Sequence, residues 1–311
     1  MKIHKGLDSI VPIRNAVVTI GTFDGVHIGH QEILQRVREI ASTIDGETVV
    51  VTFWPHPRLV LFPNDNALKL LSTFEEKAEI LATLGIHHLV AIPFTKEFSQ
   101  LTSEQFTRQV LMEIIGTKRL VIGYDHRFGK NREGSFEHLK ANEKQYRFKV
   151  EEISKQEIDN IAVSSTKIRK ALEIGDVKTA NTYLGQYYSL AGKVVEGNRI
   201  GRTLGFPTAN IAIAERFKLV PADGVYAVKV ILAEGIFQGM LNIGNRPTIG
   251  DDKRSIECNI FDFSADIYDA PIKVELIERV RAELKFENVA QLTQQLEQDR
   301  ILVKSFLKPY F

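Results

Sequence analysis

The chain has 311 residues, 44% apolar and 25% charged, a globular composition that excludes collagen, coiled coil and wholesale disorder. Its 40 lysines and arginines against 39 acidic residues leave a net charge of +1, which argues against broad nucleic-acid binding but leaves room for local basic sites. The single cysteine, Cys258, excludes an internal disulfide, and no apolar run approaches the ~20 residues of a membrane span. The opening MKIHKGLDSIVPIRNAV lacks the apolar core of a secretory signal, so a cytoplasmic protein is expected, with no membrane or nucleic-acid partner. At ~100–200 residues per domain, the length predicts two domains.

In chain order, Ala16–Ile20, Thr48–Phe53, His88–Ile92, Arg119–Ile122 and Phe148–Ile153 are short runs rich in Val and Ile, expected as buried strands. After the first, Ile33, Val37, Ile40 and Ala41 recur at helical spacing. Ser72-Thr-Phe-Glu75 and Thr102-Ser-Glu-Gln105 have the spacing of capping boxes. The first opens a helix that stops before Gly85, and the second opens one that carries Phe106, Val110 and Ile114 and ends at Gly116. Strand–helix alternation of this kind predicts a Rossmann-like, doubly wound parallel sheet. Beyond Gly192 the pattern changes to closely spaced strands, Gly224–Ile231, Ile236–Ile243, Ser255–Phe263 and Pro271–Leu276, as in an antiparallel barrel or sandwich. A final helix follows, capped by Asn288 with Gln291 and striped by Val289, Leu292 and Leu296. The expected domains are residues 1–186 and 187–311.

The most informative segment is Gly21-Thr-Phe-Asp-Gly-Val-His-Ile-Gly-His30, between the first strand and the helix after it. In open α/β sheets ligands bind at that turn. Gly21, Gly25 and Gly29 let the backbone approach a bulky anion closely, and helix-start amides suit phosphate. His27 and His30 can converge there as donors. Imidazoles also bind zinc, but no cysteine or carboxylate cluster nearby completes a ligand set. A second glycine-rich stretch, Gly197 to Asn210, includes Gly201 and Gly205 and ends in Thr208-Ala-Asn210. Thr208 and Asn210 flank Ala209 in an extended segment, so both side chains point the same way, an oxygen pair suited to Mg²⁺. A plain turn between strands fits that stretch as well.

GTFDGVHIGH resembles the signature of the His-x-Gly-His nucleotidyltransferases. Phe53-Trp-Pro-His-Pro57, Ile122-Gly-Tyr-Asp-His-Arg-Phe-Gly129 and Val163-Ser-Ser-Thr-Lys-Ile-Arg169 narrow the resemblance to the adenylyl-transfer module of the prokaryotic bifunctional riboflavin kinase/FAD synthetase family. Gly201-Arg-Thr-Leu-Gly-Phe-Pro-Thr-Ala-Asn-Ile211, Pro221-Ala-Asp-Gly-Val-Tyr226 and Asn242-Ile-Gly-Asn-Arg-Pro-Thr248 resemble its kinase module, a small antiparallel barrel with a terminal helix.

The resemblance implies that His27 and His30 contact ATP phosphates, with Gly21, Phe23, Asp24, Gly25 and Gly29 lining the nucleotide. Ser164, Ser165, Thr166 and Arg169 form a second phosphate segment, which otherwise reads as an ordinary N-cap. Phe53, Pro55, Pro57 and Phe128 flank the flavin, although Phe53 and Phe128 also fit a core, and Asp125 holds nucleotide or flavin atoms. In the kinase module Gly201, Arg202 and Gly205 cradle phosphates, Thr208 and Asn210 ligate Mg²⁺ with ATP, and Glu257 is the base. Three positions depart from the family pattern: Trp54 where Glu is common, His126 where Phe is common, and Asn259 where His is common.

The chemistry is consistent with one base rather than two. FMN phosphate is already mostly dianionic at pH 7, its second pKa being ~6, and needs no base to attack an α-phosphorus. The ribityl alcohol of riboflavin is a neutral, weak nucleophile whose proton must be accepted as the γ-phosphoryl group transfers. The resemblance therefore implies an enzyme that converts riboflavin to FMN and FMN to FAD with ATP, expected as a monomer or weak homo-oligomer. Two alternatives remain at this point: a nucleotidyltransferase for another acceptor, its barrel degenerate, and a non-catalytic flavin-binding regulator.

Overall fold

The structure is a computed structural model, describing the chain except residues 9, 65–67, 124–126, 154–162, 198–200, 202–203 and 246–253. Asp125 and Arg202, and with them His126, lie outside the described residues. The chain divides into two compact units, Met1–Ser165 and Thr166–Phe311.

In the first unit, strands β1 (Lys2–Lys5), β2 (Val17–Ile20), β3 (Thr48–Trp54), β4 (His88–Pro93), β5 (Arg119–Gly123) and β6 (Lys149–Ile153) form one parallel sheet, ordered β1-β4-β3-β2-β5-β6. The Val/Ile runs arise because both faces are covered. Val49 and Val51 pack with Phe106, Val110 and Leu111, whereas Val50 between them packs with Leu34, Phe74 and Leu81 on the other face. The helices are α1 (Ile28–Thr43), α2 (Pro57–Leu61), α3 (Phe74–Thr83), α4 (Ser103–Phe106, continuing at π pitch over Thr107–Ile114), α5 (Phe136–Ala141) and α6 (Glu143–Tyr146).

The chain runs outward from β2 through β3 to β4, then returns to lay β5 against the other side of β2. That reversal puts the switch point of the sheet between β2 and β5, and the turn leaving β2 is the Gly21–His30 segment.

Three local expectations need correcting. The capping box of α3 is Thr73 with Glu76, one residue later than Ser72 with Glu75, because the Ser72 hydroxyl accepts instead from the Gly25 amide. On α1, Leu34 is buried with Val37, Ile40 and Ala41, and Ile33 only partly so. Strand β1, on the sheet edge, is an element the sequence pattern did not reveal.

The second unit opens with α7 (Ser165–Glu173, its first residue in the first unit) and α8 (Val177–Leu184). Strands β7 (Tyr188–Val195), β8 (Ala209–Ala212), β9 (Gly224–Leu232), β10 (Gly235–Asn245), β11 (Arg254–Ile260) and β12 (Pro271–Arg281) follow and close into an antiparallel barrel, ordered β10-β11-β8-β7-β12-β9. Hydrogen bonds explain why α7 and α8 group with the barrel. Asn181 donates to the Leu276 carbonyl at 2.8 Å and accepts from the Tyr188 amide at 2.7 Å. Arg279 donates to the Ile174 carbonyl at the end of α7 at 3.0 Å.

The terminal helix, α9 (Val289–Leu307), is capped by Asn288, which accepts from the Gln291 amide. It seats on the barrel through Val303 and Leu307, against Val225, Ala227, Met240 and Ile277. Val289 of the expected stripe is 62% exposed, because α9 docks through its second half.

Candidate active sites

The first site is built by the turn after β2. Phe23, Gly25 and Val26 all take left-handed backbone angles, with φ of 46°, 79° and 42°. For a β-branched residue such as Val26 that is a strained conformation, which persists only where the surroundings over-determine it. They do so here. The Asp24 carboxylate accepts from the Leu71 and Ser72 amides at 2.9 and 3.3 Å, and Phe23 and Val26 are buried with Leu34 and Phe74.

The turn delivers His27 as the N-cap of α1, its Nδ1 accepting from the His30 amide at 3.4 Å. This contact leaves Nε2 of His27 to carry the proton when the ring is neutral. The two imidazoles stack at 3.7 Å with planes 15° apart, and Phe23 backs His30 at 5.0 Å. Gly29 lies close against the ring, since a Cβ there would be 3.3 Å from His27 Nδ1.

Burial first, then the neighbouring charges of His27 and Lys77, hold the His30 pKa well below that of an ordinary histidine, so the ring is neutral at pH 7. Its Nδ1 is buried without a hydrogen-bond partner. The pair sits where the positive end of the α1 macrodipole also favours an anion.

Ser165 joins this site, its hydroxyl donating to the Asp24 carbonyl at 3.2 Å, with exposed Ser164 beside it. Thr166 is exposed and Arg169 half-buried on α7. Phe53, at the end of β3, is half-buried amid Phe94, Phe98 and Phe106 at 5.6, 5.9 and 6.4 Å. Phe128 is a buried member of the same core, 5.6 Å from Phe106. Pro55 is exposed and Pro57 begins α2.

Sequence reasoning missed Lys77. It lies on the buried face of α3, its Nζ donating to the Thr22 carbonyl at 2.6 Å and standing 5.5 Å from the Trp54 ring centre. The signal available was a lysine interrupting the Phe74–Ala78–Leu81 apolar stripe.

The second site lies on the barrel, where β8 pairs antiparallel with β11 and Asn210 falls directly opposite Glu257. The Thr208 hydroxyl donates to Glu257 Oε2 at 3.3 Å, so Thr208, Asn210 and Glu257 share one face. Glu257 is half-buried, while Ile256 and Cys258 alternate with it on the buried side. Burial also pushes the Cys258 thiol pKa up, so that sulfur is not a nucleophile here.

Gly197 is needed by geometry, since a Cβ there would meet Asn210 Nδ2 at 2.1 Å. Gly201 accepts from the Phe206 amide at 2.8 Å, folding the loop back toward Thr208, and Gly205 takes a left-handed φ of 78°. Asn259, two residues beyond Glu257, donates from Nδ2 to the Pro207 carbonyl at 2.7 Å. Asn259, singled out in the sequence as a departure from the family pattern, thereby locks the segment that carries Thr208 to the strand that carries Glu257.

A parallel α/β unit with paired imidazoles at its switch point, joined to a closed six-stranded barrel with an oxygen-rich face, defines a two-module nucleotide-using protein. Residues 11–167 match the family described as FAD synthetase, and residues 184–307 the family described as riboflavin kinase. The bifunctional riboflavin kinase/FMN adenylyltransferase of Listeria monocytogenes is 39% identical over 293 residues, 94% of this chain and 92% of that protein. The protein of that name from Haemophilus influenzae is 37% identical over 308 residues, 98% of this chain and 99% of its own, and that from Escherichia coli K12 is 34% identical over 309 residues, 98% of each. A solved Streptococcus pneumoniae structure, described as a macrolide-efflux protein, superposes with a TM-score of 0.86 at 32% identity over 97% of this chain and 98% of that one. The efflux description belongs to that protein; among the described residues here, no helix is long and apolar enough to cross a membrane. The chain belongs to the bifunctional riboflavin kinase/FMN adenylyltransferase family.

Proposed function

We propose that the chain carries out two consecutive ATP-dependent reactions on one flavin. The barrel phosphorylates riboflavin to FMN, and the α/β unit transfers the adenylyl group of ATP to FMN, giving FAD and pyrophosphate. The functional division falls near residue 186, a reading supported by the riboflavin kinase match, which starts at residue 184.

The observation that carries this reading is the unequal supply of carboxylates. In the barrel, half-buried Glu257 lies beside Thr208 and opposite Asn210, where it can accept the proton of the ribityl hydroxyl as that oxygen attacks the γ-phosphorus. In the α/β turn the one carboxylate, Asp24, is committed to the Leu71 and Ser72 amides. FMN phosphate, already anionic, asks there only for donors to orient two anions and stabilise the departing pyrophosphate. His27, His30, Ser164 and the first amides of α1 are such donors, with Ser165 holding the turn through the Asp24 carbonyl. Phe53, Pro55 and Pro57, at and beyond the end of β3, border the flavin.

A magnesium ion fits the barrel site by the chemistry of its donors. Thr208 offers a hydroxyl and Asn210 an amide oxygen, hard ligands of the type Mg²⁺ takes, and both lie on the face that carries the Glu257 carboxylate. When bound, the ion would neutralise charge on the transferring phosphates. Thr208 and Asn210 would hold it.

The test is incubation of the purified protein with riboflavin, ATP and Mg²⁺, with flavins separated chromatographically over time. FMN followed by FAD is expected; a folded protein yielding neither rejects the reading.

A further inference from the structure

A buried cation lies under the phosphate-binding turn of the α/β unit, and none of the sequence motifs accounts for it. A lysine on an apolar helix face ordinarily extends its ammonium to water. Lys77 does not, being 2% exposed. Its Nζ is a donor to the Thr22 carbonyl, which also accepts from the Thr52 hydroxyl at 3.3 Å, and the Trp54 ring covers it at 5.5 Å. Thr22 begins the turn that ends in His27 and His30.

The charged and titratable groups that face Lys77 are Asp24, from the turn, and His30, from the first turn of α1. Glu76, its neighbour on α3, accepts from the Thr73 amide in the capping box. Burial lowers the Lys77 pKa to about 8, with the Asp24 charge opposing the fall, so the ammonium is the main form at pH 7.

We propose, resting on the adenylyl-transfer reading of this unit, that Lys77 is a positioning residue for that reaction. Its ammonium anchors the Thr22 end of the turn and places a fixed positive charge behind His30, so that His30 meets the phosphates as a neutral donor. Trp54 stabilises that ammonium through its ring face. Lys77 touches no reacting atom in this account; it acts through Thr22 and His30.

The pH dependence of FAD formation from FMN and ATP tests it, with melting followed by circular dichroism as the measure of an intact α/β unit and riboflavin phosphorylation as the control for the separate barrel unit. In the unaltered protein, FAD formation falls as pH rises through about 8, because the working ammonium is lost. In Lys77→Met the rate at pH 7 drops by about tenfold to a hundredfold, that alkaline limb disappears, and phosphorylation is unchanged within about twofold. Trp54→Leu moves the limb to lower pH.

A Lys77→Met protein that keeps both the rate and the limb overturns the proposal. Where Lys77→Met does not fold, the Trp54→Leu limb decides: displaced supports, unmoved overturns. If the unaltered protein forms no FAD, the adenylyl-transfer reading fails by itself. The placement of Lys77 is then judged by NMR titration of His30 in Lys77→Gln, a variant that can keep a donor to Thr22 without the charge. A rise of the His30 titration supports the electrostatic coupling, and an unmoved titration overturns it.

Discussion

Asn210 and Glu257, 47 positions apart in the sequence, are direct cross-strand partners on β8 and β11. Their pairing brings the loop that ends in Thr208 and Asn210 to the half-buried Glu257 carboxylate. Glu257→Ala should therefore reduce FMN formation from riboflavin by about 10²–10⁴-fold, the usual contribution of a general base. FAD formation from supplied FMN should stay within about twofold. Assay of the two half-reactions on one preparation checks this, and parallel loss of both contradicts a base local to the barrel.

The converse variant is His27→Ala. It removes one member of the stacked pair and the side-chain cap of α1 together. Loss of one donor aimed at developing charge costs about 10²–10³-fold in turnover, so FAD formation should fall by that order while riboflavin phosphorylation persists. His27→Asn separates the two roles. Asparagine restores a good N-cap but not the imidazole, and should recover stability without recovering rate.

How much of this was legible in sequence follows from what each feature depends on. Strands β2 to β6 are buried parallel strands, and the expected Val/Ile runs agree with the observed bounds to about a residue or two at each end. Strand β1 was silent because Lys2-Ile-His-Lys5 sits on the sheet edge, with only His4 buried. The cap of α3 was misread by one position because Ser72 and Thr73 are both capping residues, and only the Ser72–Gly25 bond selects between them. The Gly21–His30 turn announces itself by composition. The Thr208–Glu257 contact does not, since it depends on the register of two strands distant in sequence. Lys77 was hidden for a different reason: an isolated lysine in a helix ordinarily reads as a solvated residue.

Asn259 is expected to act through the Pro207 carbonyl. Asn259→Asp keeps size and shape but replaces the donating amide with a carboxylate that repels both that carbonyl and nearby Glu257. Kinase KM for ATP should rise by about tenfold in Asn259→Ala and further in Asn259→Asp, with FAD formation from FMN unaffected. Equal effects of the two substitutions would reduce Asn259 to a space-filling role.

The last prediction concerns the seat of the terminal helix. Asp299 is fully buried on α9, and both its oxygens accept from Arg281 of β12, Nε at 3.0 Å to each and Nη2 at 2.7 Å to Oδ2. Gln295 adds a bond at 2.9 Å. Two charges taken out of water stabilise little as a pair, but removing one partner strands the other and costs about 3–5 kcal/mol. Asp299→Ala should destabilise the barrel by that order, whereas Arg281→Met with Asp299→Leu should recover most of the loss, because two apolar side chains can fill the same space. The single tryptophan, Trp54, belongs to the other unit, so denaturant melts should be followed by circular dichroism and by loss of riboflavin phosphorylation. A double variant no more stable than Asp299→Ala would show that the ion pair itself, rather than the avoidance of a stranded charge, holds α9 to the barrel.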